Sequence, residues 1–121
     1  MKTGRPIQVL ASAARTAAIN SDDLPSYGHR GLHLVVDVTA YTAGSITLTI
    51  QGKDSVSAVY YTLLASAALA ATGTTVLKIY PGIPVIANGV ANDVMPDTWR
   101  VSVAVGGSQS ITYSVAAYLV P

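Results

Sequence analysis

Leu32-His33-Leu34-Val35-Val36-Asp37-Val38 carries an apolar residue at every even position, while its odd positions include His33 and Asp37. Successive side chains of a β-strand point to opposite faces, so this alternation predicts a strand with one face buried. Ile46-Thr47-Leu48-Thr49-Ile50-Gln51 repeats it with threonine on the outer face. Between them, Tyr41-Thr42-Ala43-Gly44-Ser45 is short and contains glycine, and it reads as a hairpin turn. Val59-Tyr60-Tyr61-Thr62-Leu63-Leu64 predicts another strand after the turn-like Gly52-Lys53-Asp54-Ser55. Thr75-Val76-Leu77-Lys78-Ile79-Tyr80 predicts the next, ended by Pro81-Gly82. Trp99-Arg100-Val101-Ser102-Val103-Ala104-Val105 alternates again, and Gly106-Gly107-Ser108 leads into Ile111-Thr112-Tyr113-Ser114-Val115-Ala116-Ala117-Tyr118-Leu119. That pair is the second expected hairpin.

Residues 7–19 are rich in alanine, which also suits a helix, but Ile7, Val9, Ala11 and Ala13 share one parity and favour strand. Residues 65–71 are open to either reading, and Thr72-Gly73-Thr74 ends them. The stretch 81–96, with Pro81, Pro84 and Pro96, predicts a long connection, and 20–31 predicts another. Many short strands separated by turns make the expected fold all-β: a single domain over residues 1–121, a jelly-roll-like β-sandwich or small β-barrel, with a flexible N-terminal arm at 1–8.

Half of the 121 residues are hydrophobic and only 11% are charged, against roughly 25% in ordinary soluble domains. So little charge leaves apolar surface to be covered, and burial against neighbouring subunits is the simplest cover. The basic residues Lys2, Arg5, Arg15, Arg30, Lys53, Lys78 and Arg100 are scattered and form no nucleic-acid footprint. No direct sequence-specific nucleic-acid binding is therefore expected. No apolar run approaches the roughly 18 residues of a membrane-spanning helix. The stretch after the basic start is too polar for a signal-peptide core, so synthesis in the cytoplasm without a cleaved signal is expected. The chain has no cysteine, so disulfides and thiolate chemistry are excluded.

Sites of chemistry are sparse. His29 and His33 have H-x-x-x-H spacing, but along a strand four residues span roughly 13 Å, too far for one tetrahedral ion unless Gly28 and Gly31 let the chain bend. Asp22-Asp23 lacks the alternating oxygen ligands of a calcium loop and reads as a turn pair. No G-x-S-x-G elbow, phosphate loop or dinucleotide fingerprint occurs. Tyr60 and Tyr61 fall on opposite faces, and Trp99 and Tyr113 are in phase with core positions, so a stacking platform is not assembled from them. Tyr118 is out of phase with its strand's core positions and suits an interface. No catalytic residue, metal ligand or cofactor is expected, and the chain is read as non-enzymatic.

Several runs resemble a family of small proteins encoded among phage and prophage virion genes. They are Ile46-Thr47-Leu48-Thr49-Ile50-Gln51-Gly52-Lys53-Asp54, Tyr60-Tyr61-Thr62-Leu63-Leu64-Ala65-Ser66-Ala67-Ala68, Val76-Leu77-Lys78-Ile79-Tyr80-Pro81-Gly82, Ala91-Asn92-Asp93-Val94-Met95-Pro96-Asp97-Thr98-Trp99-Arg100-Val101 and Ser110-Ile111-Thr112-Tyr113-Ser114-Val115. The resemblance covers most of the chain from about Leu10 onward. It implies a virion component of a tailed bacteriophage, most plausibly a capsid decoration (cement) protein, with a tail or baseplate module contacting a surface glycan as the alternative. It further implies the major capsid protein and other copies of this chain as partners, a trimer by preference, and location in the virion. Candidate assembly contacts are Lys2 and Arg5 in the arm, Ile83, Val85, Ile86, Val90 and Met95 in the long connection, and Tyr118.

Overall fold

The computed structural model describes residues 6–107 and 110–121. Its strands are β1 (Pro6–Arg15), β2 (Ile19–Asn20), β3 (Leu24–Pro25), β4 (Gly31–Tyr41), β5 (Ser45–Asp54), β6 (Val59–Ala65), β7 (Gly73–Ile79), β8 (Val90–Ala91), β9 (Thr98–Gly106) and β10 (Ile111–Val120). They form two sheets, ordered β1-β10-β4-β7-β8 and β2-β9-β5-β6, with β3 also on β9. Apart from the short β3 and β8, this is the strand order of a jelly roll, a double-sheet sandwich built from two Greek keys. All pairings are antiparallel except β7 with β8.

The period-two pattern explains the sandwich. Leu32, Leu34, Val36 and Val38 of β4 and Ile111, Tyr113, Val115, Ala117 and Leu119 of β10 point inward from one sheet. Ile46, Leu48 and Ile50 of β5 and Trp99, Val101 and Val103 of β9 meet them from the other, and all belong to one buried cluster. Burial of each Leu, Ile or Val side chain contributes about 1.5–3 kcal/mol. Trp99 and Tyr113 are both fully buried, as their phase predicts.

Three expectations are corrected. The link after Tyr41 is not a hairpin: β4 and β5 lie in different sheets, and the chain crosses the sandwich there. The Tyr41 hydroxyl donates to the Gly44 carbonyl at 2.8 Å, and Gly44 takes a positive φ of 83°. Nor do β9 and β10 form a hairpin, because they too lie in opposite sheets. Among the described residues, one direct hairpin between long neighbours occurs, joining β5 to β6 across residues 55–58.

The third correction concerns β1. Residues 7–15 are a strand, but Leu10 is its buried residue, out of phase with Ile7 and Val9, and Ala11 and Ala13 are exposed. Register shifts between Gln8 and Leu10 and between Leu10 and Ala13 are the cause, since an extra residue flips the parity that follows it. Pro6, Ile7 and Gln8, assigned to the arm by sequence, pair with Tyr118, Ala117 and Ala116 of β10. The rest of that arm lies outside the described residues.

Candidate interaction surfaces

With the inward parity consumed by the core, contacts with other molecules fall to the outward faces, the connections and the sheet edges. On the outer face of the first sheet, cross-strand pairing sets Tyr118, His33, Lys78 and Val90 in one row across four strands. A shallow depression of about 330 Å³ at that end is lined by His33, Lys78, Tyr80, Ile83 and Val120. His33 is exposed, yet desolvation beside the depression and then the charge of Lys78 lower its pKa, so its imidazole favours the neutral form. The next row sets Ala116, Val35 and Val76 side by side, with Val76 exposed. His29 is elsewhere, its Nδ1 3.0 Å from the Ser26 carbonyl.

The outer face of the second sheet holds a polar cluster that the sequence reading missed. The Arg100 guanidinium stacks 3.5 Å from the centre of the Tyr60 ring, and its Nε donates to Gln51 Oε1 at 2.8 Å. The Tyr60 hydroxyl donates to Asp23 at 2.7 Å, and Lys53 Nζ pairs with the same carboxylate at 2.8 Å. These hydrogen bonds, Lys53's first and Tyr60's second, hold the Asp23 carboxyl below its ordinary range. Lys53 is raised in turn, chiefly by its bond to Asp23. The signal was present in the outward parity shared by Gln51, Lys53, Tyr60 and Arg100, but the participation of Asp23 depends on how 20–31 folds back. The Tyr60 ring is covered by the Arg100 guanidinium and its hydroxyl is held by Asp23, so Tyr60 is not a bare stacking ring.

The long connection divides in two. Met95 is buried in the core cluster, and its N–H donates to the Arg30 carbonyl at 2.9 Å. It therefore covers its own interior, which corrects its assignment as an assembly contact. Val85 and Ile86 are 68% and 61% exposed, and Val94 is 49% exposed. The backbones of Ile86 and Val90 exchange hydrogen bonds at 3.2 and 2.9 Å, which fixes this tip. Ile83 is half-buried at the depression and Val90 half-buried in β8. Tyr118 is half-buried, opposite His33 of β4. Lys2 and Arg5 lie outside the described residues. Thus Tyr118, Ile83 and Val90 share one end of the first sheet's outer face, and Val85 and Ile86 stand apart at the loop tip.

Among the described residues, no group of three or more His, Asp or Glu side chains lies close enough to hold a metal ion. Among the same residues, no helix is long and apolar enough to cross a membrane.

No protein-family model matches the chain, and no curated protein matches it. Among solved structures, a chain from the structure of infectious bursal disease virus, Gx strain, is similar at 13% identity and a TM-score of 0.37. The likeness covers 97% of this chain and 33% of that one, so this chain spans about a third of the solved chain's length. A likeness that distant does not bear on function, and the resemblance to phage virion proteins stands on the quoted residues alone.

Proposed function

We propose that this chain is a non-enzymatic structural protein of a virion, a head decoration protein that binds the major capsid protein and other copies of itself. The observation that carries this reading is the exposure of Val56, Val59, Val76, Val85, Ile86 and Val94 on a chain with only 11% charged residues. Of these, Val85 and Ile86 adjoin at one exposed tip, and adjoining exposed apolar side chains support an interaction site there. The runs that resemble phage virion proteins indicate which kind of assembly. A decoration protein adds contacts between shell subunits, so the shell resists the pressure of packed DNA. Each contact can be weak, because many are tied together on one lattice. The loop tip at Val85 and Ile86 is the surface offered to the shell, with Tyr118, Ile83 and Val90 as a second patch.

Immunoelectron microscopy with antibody against this chain tests the reading. Label distributed over virion heads supports it. Label confined to the tail overturns the head assignment in favour of a tail module. Virions without label, from a lysate that contains the protein, overturn the virion role.

A further inference from the structure

Sheet edges present unpaired backbone N–H and C=O groups, and proteins blunt the edges they do not use. The four edges of this sandwich are β1 and β8 in one sheet and β2 and β6 in the other. Three of them are blunted. Strands β2 and β8 have two residues each. Strand β1 is broken by its two register shifts, and the Arg15 guanidinium donates to the carbonyls of Ala11 and Ala13, occupying acceptors that a docking strand needs.

Strand β6 has only one of these devices, a single register shift against β5 at Leu63, toward its far end. Its seven residues, Val59-Tyr60-Tyr61-Thr62-Leu63-Leu64-Ala65, include no charge, proline or glycine. One side pairs with β5; on the other, no strand follows among the described residues. Asn88 donates to the Ala65 carbonyl at 3.3 Å and caps only that end. Val59 and Tyr61 sit opposite Asp54 and Gly52, on the inward parity of the sheet, yet they are 57% and 44% exposed. They are core-phase side chains that their own opposite sheet leaves uncovered.

We infer that β6 is a self-association edge, taking β6 of a second copy antiparallel across a two-fold axis at Tyr61. The inference rests on the reading of this chain as an assembling subunit and names one of its contacts. The strand is complementary to itself. About that axis Tyr61 faces its own counterpart and Tyr60 faces Thr62, all within the regular stretch that precedes the shift at Leu63. Aromatic and β-branched cross-strand pairs of this kind stabilise a sheet. A charge near a two-fold axis faces its own copy, and β6 carries none. The nearest charges are engaged within their own chain: Lys53 by Asp23, Arg100 by Gln51, and Asp54 by the Val56 N–H and the Ser57 hydroxyl. Pairing also sets the uncovered Val59 and Tyr61 of each copy beside those of the other. An isologous contact of this type closes at two copies, so it gives a dimer in place of the trimer implied by the resemblance.

The chain has no cysteine, so a single introduced one reports on a single contact. Tyr61→Cys in the full chain should give a covalent dimer under mild oxidation. Ala13→Cys, exposed on the blunted β1 edge, should remain uncrosslinked. Sedimentation of the unmodified chain should show a concentration-dependent dimer. Thr62→Lys, at an exposed position beside the axis, should weaken that dimer by about tenfold or more through like-charge repulsion. Circular dichroism confirms that each variant folds. A monomer at every concentration, a trimer indifferent to Thr62→Lys, or crosslinking of Tyr61→Cys only to a different protein overturns the inference. A β6 dimer with unlabelled virions overturns the virion role alone, and labelled virions with a monomeric chain overturn the edge contact alone.

Discussion

Ser66 and Leu48 are joined by two hydrogen bonds: the Ser66 N–H donates to the Leu48 carbonyl at 2.8 Å, and the Leu48 N–H donates to Ser66 Oγ at 3.0 Å. The serine side chain takes the place of a backbone carbonyl where β6 has just left the sheet. Ser21 does the same for Val101 on the far edge, with distances of 2.8 and 2.9 Å. Both serines are buried. Ser66→Ala therefore leaves a buried N–H without an acceptor, and should destabilise the fold by about 1–3 kcal/mol. Ser21→Ala should act similarly at Val101. Urea unfolding at neutral pH measures both, and an unchanged midpoint would show that another acceptor replaces the hydroxyl.

The opposite sign is expected at Tyr113. Its hydroxyl is buried without a hydrogen-bond partner among the described residues, and burial raises its pKa while neighbouring Arg15 opposes the rise. The ring itself is held by the Arg15 guanidinium, 4.8 Å from its centre. Tyr113→Phe keeps the ring and deletes the orphan hydroxyl, so it should leave stability unchanged or raise it by about 1 kcal/mol. A loss of more than about 1 kcal/mol in urea unfolding would reveal a partner for the hydroxyl.

The strands and their buried faces were legible because parity is a local property. Leu32, Leu34, Val36 and Val38 had to be buried together wherever β4 went. Which strand lay beside β4 was not legible. Alternation states which face is buried, not which sheet the strand joins, and two strands facing across a core alternate just as two strands of one hairpin do. The links Tyr41-Thr42-Ala43-Gly44-Ser45 and Gly106-Gly107-Ser108 therefore read as hairpins, although the strands they join lie in opposite sheets. The phase of Leu10 was lost because a bulge leaves no mark in composition. Among the candidate contacts, Met95 was misread because a proline-rich connection hides which apolar residues turn inward. The β6 edge escaped notice because an edge is defined by the absence of a neighbour, which only topology reveals.

Acid should weaken the fold in two windows. The His33 pKa is lowered from its ordinary 6.5. The unfolded chain then takes up that proton first, so stability falls as pH drops below about 6.5 and is restored above it. The Asp23 and Asp54 carboxyls are lowered from 3.8, Asp54 chiefly by the N–H of Val56 and then by the Ser57 hydroxyl. Their stabilisation is present above about 3.8 and is lost as pH falls through the folded-state values. Urea midpoints across the acid range should show both declines, and His33→Gln should flatten the first while sparing the second. A first decline that persists in His33→Gln assigns it to another group.

Ile86 and Met95 belong to one connection but should respond to substitution in opposite ways. Met95 is 5% exposed and sits in the core cluster, whereas Ile86 is 61% exposed at the tip. Met95→Ala removes buried volume and should destabilise the monomer by about 2–5 kcal/mol. Ile86→Asp places a charge in solvent and leaves the backbone bonds to Val90 intact, so monomer stability should move by no more than about 0.5 kcal/mol. If the tip is the surface offered to a shell, the same substitution buries an unpaired carboxylate at the contact, and decoration should fall by about tenfold or more. Urea unfolding paired with cosedimentation of the variants on shells separates the two roles. Equal destabilisation by Ile86→Asp and Met95→Ala would make the whole connection a cap on its own sandwich. Unchanged decoration by Ile86→Asp, with the fold intact, would move the shell contact away from the tip and onto the patch of Tyr118, Ile83 and Val90.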